Sequence, residues 1–163
     1  MAITIRPALP TDAARFAAIY APFVTDSWIS FELDPPDEVE MVRRIADYGS
    51  SHGWLAAQVD GVVAGYAYGS PHRSRGAYAT SCDVAVYLDP GFARRGIGRA
   101  LCLDLLATLS TRGFHAAFAG IALPNEASIG LHEGLGFAPV GVYREVGWKL
   151  GGWRDVGWWQ RLL

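Results

Sequence analysis

Residues 93–99, Ala-Arg-Arg-Gly-Ile-Gly-Arg, set two glycines one residue apart among three arginines, after an apolar run and before a helical pattern. That arrangement suits phosphate. Gly96 and Gly98 remove side chains, so several backbone N–H groups can converge on one anion. The helix expected to begin near Gly98 adds the positive end of its dipole. Arg94, Arg95 and Arg99 add charge, and Ile97 lies between the glycines. Two kinds of phosphate site are excluded. A nucleoside triphosphate loop needs Gly, four residues, then Gly-Lys-Ser/Thr, and Ile97 stands where the lysine must be. A dinucleotide fingerprint needs a third glycine where Leu101 stands, and an acid about 20 residues on, which the apolar run 115–123 lacks. What remains is a loop suited to a diphosphate. The alternative is a surface loop with helix-start glycines and solvated arginines.

Other residues carry titratable or anion-binding chemistry. His132 titrates near neutrality and can pass protons at working pH. Asp83 begins an apolar strand, where burial would raise its pKa from about 3.9. Arg73 and Arg75 precede it, and arginine forks grip carboxylate or phosphinate with two parallel hydrogen bonds. Cys82, Cys102 and the four histidines show neither disulfide nor metal-ligand spacing, so no metal is expected.

The elements that must position these groups read as a mixed α/β chain. Residues 3–6 alternate as a first strand. Residues 10–23 repeat with a helical period, with Thr11 as a candidate N-cap, and residues 34–49 form a second helix with prolines at its start and Gly49 at its end. Two apolar runs flank Asp60-Gly61, a strong hairpin signal. Strand 82–89 ends at Pro90, and the glycine loop then opens a helix with Leu101, Leu105 and Leu109 on one face. A buried strand at 115–123, a short helix ending at Gly134 or Gly136, and a final strand at 153–163 complete the order. Helices, an antiparallel hairpin and a strand–helix–strand unit imply a sheet of mixed direction.

The chain has 163 residues, the size of one domain, 1–163. Charged residues make up 18% and the net charge is −2, so no basic excess points to nucleic acid. No apolar run reaches the roughly 18–20 residues that span a bilayer. The N-terminus carries no signal-peptide pattern, and the two cysteines read as reduced thiols, so a cytoplasmic protein is expected.

Strand, proline, then Ala93–Leu101 resembles the acetyl-CoA pyrophosphate loop of the GCN5-related N-acetyltransferases, which reads Gln/Arg-x-x-Gly-x-Gly/Ala; Ala93 departs from its first position. Downstream, residues 125–137 are similar to the family's Asn-x-x-Ala/Ser-x-x-x-Tyr-x-x-x-Gly-Phe signature. Residues 68–78, 82–90, 123–137 and 147–160 together resemble the phosphinothricin N-acetyltransferase subfamily, which includes acetyltransferases of methionine sulfone and sulfoximine. Residues 27–36 are similar to its early substrate loop.

That resemblance implies a sheet splayed at the acetyl-CoA site with helices on both faces. Val86, Tyr87 and Leu88 would pair by backbone with the pantetheine arm, or serve as strand core, or both. The loop residues Arg94 to Arg99 would hold the pyrophosphate. Asn125 would hydrogen-bond the same arm or be a plain N-cap, and Ser128 would lie near it. His132 stands where the broad family has a general-acid tyrosine and the subfamily a histidine. Asp83 replaces a glutamate taken as the base; it is shorter by one methylene, and a paired surface carboxylate is the alternative. Arg75 and Tyr78 would bind the substrate anion, Arg73 would join them or be a solvated loop residue, and Phe31 with Trp28 would wall the pocket or sit in the core. Trp153, Trp158 and Trp159 read as packing or dimer contacts. The implied function is transfer of acetyl from acetyl-CoA to the α-amine of a small amino acid such as phosphinothricin, methionine sulfoximine or methionine sulfone, by a homodimer. Two rivals are an acetyltransferase for another amine and a non-catalytic acyl-CoA-binding module.

Overall fold

The structure, a computed structural model, describes residues 1–163. Seven strands form one sheet: β1 (Ile3–Pro7), β2 (Trp54–Val59), β3 (Val62–Pro71), β4 (Ser81–Leu88), β5 (Ala116–Ala122), β6 (Ala138–Lys149) and β7 (Gly152–Leu162), in the order β1-β2-β3-β4-β5-β7-β6. Four α-helices join them: α1 (Ala13–Thr25), α2 (Glu38–Ser51), α3 (Ile97–Thr111) and α4 (Glu126–Gly134). Every neighbouring pair is antiparallel except β4 and β5. A parallel pair needs a crossover, and α3 provides it.

Side chains alternate along a strand, and β2 shows the consequence. Trp54 and Ala56 enter a core with Phe16, Ile19 and Met41 of α1 and α2, whereas Leu55, Ala57 and Val59 enter a core with Leu101, Leu105 and Leu109 of α3. Helices therefore cover both faces, as expected. The Asp60-Gly61 turn has φ of 49° and 85° at its two residues, the left-handed pair that a two-residue hairpin requires.

Four local expectations are corrected. Thr11 does not cap α1: residues Pro10–Asp12 form a 3₁₀ turn, and the buried Asp12 carboxylate instead binds Leu9 N–H and both terminal nitrogens of Arg6 at 2.8 Å. The second helix starts at Glu38, because Asp37 accepts from Glu40 N–H and the prolines stay outside. It also runs through Gly49 to Ser51, since tertiary packing overrides a weak helix former. Strand β6 was not expected at all. It is an exposed edge carrying Pro139, Gly141 and Gly147, with register shifts at two places and Glu145 at φ 54°, and its alternation of Val140, Val142, Val146 and Trp148 is broken at Arg144 and punctuated by proline and glycine.

Gly65 lies where β3 meets the end of β4. A Cβ there would stand 2.4 Å from Leu88 Cδ2 and 2.6 Å from the Tyr87 carbonyl oxygen. Gly65→Ala must therefore push the two strands apart. Urea denaturation should show a loss of about 1–3 kcal/mol, and acetyl-CoA affinity should fall with it; wild-type values for both would contradict the close approach.

Candidate active site

The β4–β5 ladder is only three rungs long: Ser81↔Ala116, Cys82↔Ala117 and Asp83↔Phe118. Both strands continue, β4 through Leu88 and β5 through Ala122, but they no longer pair. The remainder of β4 stays bonded to β3 along its other edge, Val84↔Gly69 through Leu88↔Gly65. One edge of β4 is thus left with free backbone groups. They face a groove of about 410 Å³ lined by Val84–Leu88, Ala119–Ala122 and α4.

The glycine loop sits at one end of this groove. Arg94 and Gly96 have φ of 60° and 76°, and α3 follows at once. The first helical bond runs from Ala100 N–H to Gly96 O, so Ile97, Gly98 and Arg99 N–H have no intrahelical partner. None of the three arginines is ion-paired: Arg95 lies 5.4 Å from the centre of the Phe92 ring, and Arg99 donates to Gly134 O at 3.1 Å. The loop thus presents convergent donors and unneutralised charge, which fits a pyrophosphate. Gly98 points at Leu88 and Leu131, whose side chains a Cβ would meet at 3.4 and 3.6 Å.

Across the groove, Asn125 Oδ1 accepts from Ser128 N–H at 3.2 Å, so it caps α4 while also lining the groove. His132 is buried beside it. Its Nδ1 lies 2.8 Å from Ser128 O, and since a carbonyl only accepts, Nδ1 carries the proton. Nε2 is then a bare lone pair, buried without a partner. Burial lowers the pKa of the ring, opposed by the Ser128 bond, so it rests neutral. The lone pair can accept a proton but has none to give until it takes one.

A second cavity, of about 700 Å³, shares Val84, Tyr87, Gly120 and Ala122 with the groove. Two carboxylates line it, with pKa values shifted in opposite directions. Glu32 is bound by the Arg44 guanidinium, with Nη1 at 2.9 Å, and by Tyr20 Oη, and the arginine holds its pKa down. Asp83 is pushed up by burial, with opposing pulls from His72 and Arg73. Its Oδ1 meets His72 Nδ1 at 2.6 Å. Phe31 also lines this cavity and rests over Gly147, where a Cβ would stand 2.3 Å from the ring. Trp28 does not line it. That indole donates to Leu123 O at 3.1 Å and lies under the Arg154 guanidinium at 3.7 Å. Arg73, Arg75 and Tyr78 stand exposed on the loop before β4, outside the cavity wall, and neither arginine is ion-paired. Tyr78 sets its edge 6.0 Å from the His72 ring. Trp158 lines the cavity, and Trp159 is core.

The acetyltransferase (GNAT) family model matches residues 21–137. The chain belongs to the GNAT acetyltransferase family. It is 38% identical to a phosphinothricin N-acetyltransferase of Streptomyces viridochromogenes, over 98% of this chain and 87% of that one. It is 31% identical to an L-methionine sulfoximine/L-methionine sulfone acetyltransferase of Salmonella typhimurium, over 99% and 95%. A solved structure of a phosphinothricin acetyltransferase from Sinorhizobium meliloti, in complex with acetyl-CoA, superposes with a TM-score of 0.95 and is 34% identical, covering 100% of this chain and 89% of that one. This GNAT protein is accordingly an acetyl-CoA-dependent N-acetyltransferase.

Three residues of this acetyltransferase's cavity escaped the sequence reading, Tyr20, Glu32 and Arg44, and so did His72, which stands behind Asp83. Their contacts join residues 11 or 12 positions apart on different elements, so no pattern announces them. His72 reaches Asp83 only through the β3–β4 register, in which Ser70 and Asp83 are partners. Gly98→Val would wedge a branched side chain between Leu88 and Leu131, two groove residues. The Kd for acetyl-CoA should rise about tenfold or more, while circular dichroism shows a folded protein; an unchanged Kd would mean the donor avoids this end of the groove.

Proposed function

We propose that this protein moves acetyl from acetyl-CoA to the α-amine of a small amino acid with a tetrahedral, oxygen-bearing side chain, in the class of phosphinothricin, methionine sulfoximine and methionine sulfone. The observation that carries the reading is the state of the two cavity carboxylates. Glu32 has its pKa held down by Arg44 and both oxygens engaged by Arg44 and Tyr20, so it is a poor base. Asp83 has its pKa raised by burial and lies at the vertex where the substrate cavity meets the cofactor groove. Groups pushed apart in this way divide the acid–base roles between them.

Acetyl-CoA supplies the thioester to be broken. The free edge of β4 past Asp83 offers N–H donors to its carbonyl oxygen, where negative charge develops. Asp83 takes a proton from the substrate ammonium, freeing the nitrogen lone pair for attack. His132, neutral with Nε2 open, takes the second amine proton and hands it to the departing sulfur. Arg75, exposed and without a counter-ion, closes on the substrate anion, with Arg73 and Tyr78 beside it. Because Arg44 already neutralises Glu32, the cavity keeps one uncommitted carboxylate. That disfavours a polyamine acceptor, and a base poised at the vertex disfavours a merely binding role.

We also infer a homodimer. The β6–β7 hairpin exposes Val140, Val142, Tyr143, Trp148 and Trp153, an apolar face of the kind that partners cover. Sedimentation should give twice the 17.6 kDa chain mass, and Trp148→Glu with Trp153→Glu should give single chains; a monomeric wild type would end this inference.

Thiol release from acetyl-CoA should be fast with the three amino acids and near background with a polyamine or a short peptide. Arg75→Ala should raise KM for the amino acid about tenfold or more, in line with loss of a charge-assisted pair, at an unchanged Kd for acetyl-CoA. Turnover with the polyamine alone would refute the acceptor class, and equal losses in both constants would refute the role of Arg75.

A further inference from the structure

His72 is a residue the chemistry above does not use. It leaves the end of β3, and its ring makes two contacts at once. Nδ1 meets Asp83 Oδ1 at 2.6 Å, and the ring face lies on Phe118 with centroids 4.2 Å apart and planes 17° apart. Asp83 and Phe118 are register partners on the last rung before β4 and β5 part. His72 therefore spans the vertex of the splay, bonded to one strand and stacked on the other. Trp158 on β7 sets its edge against the ring at 5.8 Å and 86°. The ring is held on three sides, and it lies behind Asp83, outside the cavity that Asp83 lines.

We propose that His72 is a positioning residue for the base: it fixes Asp83 in one orientation, so that Oδ2 faces the acceptor amine. The proposal rests on the reading of Asp83 as the base. Aspartate has two side-chain torsions and a short reach, so a free carboxylate would spread over several orientations. A donor on Oδ1 removes that freedom. His72 carries a proton on Nδ1, facing a carboxylate oxygen that accepts it. The ammonium N–H bond breaks, an O–H bond forms at Oδ2, and Oδ1 keeps accepting from His72 throughout. The stack on Phe118 makes the position of the donor a property of the sheet. It also ties the carboxylate to the point where the groove opens, which holds base and thioester in one frame. Preorganisation of this kind is worth up to about a hundredfold in rate when about 1 Å of placement is lost.

The groups facing Asp83 are few. The loop after β3 presents His72 and Arg73, both of which hold its pKa down against burial. Cys82 is its neighbour on β4, with a thiol pushed up to about 12 and therefore uncharged. Across the cavity stand Glu32 paired with Arg44, Arg43 paired with Glu40 and Asp47, Tyr48, and the neutral phenols of Tyr20, Tyr68 and Tyr87. Phe118 of β5 and Trp158 of β7 carry no charge. Removing the His72 donor leaves burial less opposed, so the Asp83 pKa rises and the acidic limb of the kcat profile moves to higher pH.

His72→Phe keeps the stacking plane and deletes the donor. His72→Asn places an amide N–H near the Nδ1 position and deletes the stack. His72→Phe should lower kcat roughly ten- to a hundredfold, shift the acidic limb upward, and leave the Kd for acetyl-CoA as in wild type. His72→Asn should recover most of kcat and return the limb toward its original position. Three results would overturn the proposal: kcat within twofold in His72→Phe, an unmoved limb, or no recovery in His72→Asn when both variants bind acetyl-CoA normally. Asp83→Asn separates the two levels. If it is inactive while His72→Phe keeps rate and limb, only the positioning role fails. If Asp83→Asn keeps full activity, the assignment of the base fails first.

Discussion

The parting of β4 from β5 after a three-residue ladder is the constraint on which the site depends. A sheet interior normally has no free edge, because unpaired backbone groups are costly to bury. Here β4 stays bonded to β3 along one side and is released on the other, so a rigid strand presents donors and acceptors to a groove. The divergence also creates a second opening on the other side of the vertex. Donor and acceptor thus meet at one place without a loop having to carry either. The crossover helix α3 is part of the same geometry, since a parallel pair needs it and its first turn supplies the unbonded N–H groups at the groove's end.

Charge is distributed to match. The cofactor end carries arginines without acidic partners and a helix N-terminus, whereas the acceptor cavity has its permanent charges internally cancelled, Glu32 against Arg44. Against that neutral background Asp83 and His132 are the groups whose protonation is adjustable, one raised and one lowered by burial. The segment that roofs the cavity is fastened to both sides of the molecule. Lys149 Nζ donates to Ser30 O at 2.6 Å, Arg154 covers Trp28, and Arg44 holds Glu32. The β6–β7 hairpin is therefore joined to the acceptor cavity through Phe31 over Gly147, although it lies at the far edge of the sheet.

What the sequence by itself determined was everything encoded in local spacing. The glycine loop, the apolar face of α3, the Asp60-Gly61 turn and the order of β4, α3 and β5 follow from periodicity and from glycine and proline placement. The family signatures at 93–101 and 125–137 could be read for the same reason, being contiguous. Strand β6 was missed because Pro139, Gly141 and Gly147 read as loop residues and Arg144 interrupts the alternation of Val140, Val142, Val146 and Trp148 on an exposed edge. The starts of α1 and α2 were misplaced because Asp12 serves Arg6 and Leu9 rather than a cap, and Asp37 rather than the prolines begins the second helix.

The tertiary structure alone decided which titratable groups meet. Asp83 pairs with His72, and not with an arginine, because the β3–β4 register turns the loop back over the vertex. Glu32 is neutralised by Arg44 because α2 packs beside the loop that follows α1. His132 is left neutral with an open Nε2 because α4 folds its own carbonyl onto Nδ1 and the sheet buries the rest. A residue's type is written in the chain, but its proton affinity is set by what surrounds it, and those surroundings come from segments distant in sequence that only the folded sheet brings within hydrogen-bonding distance.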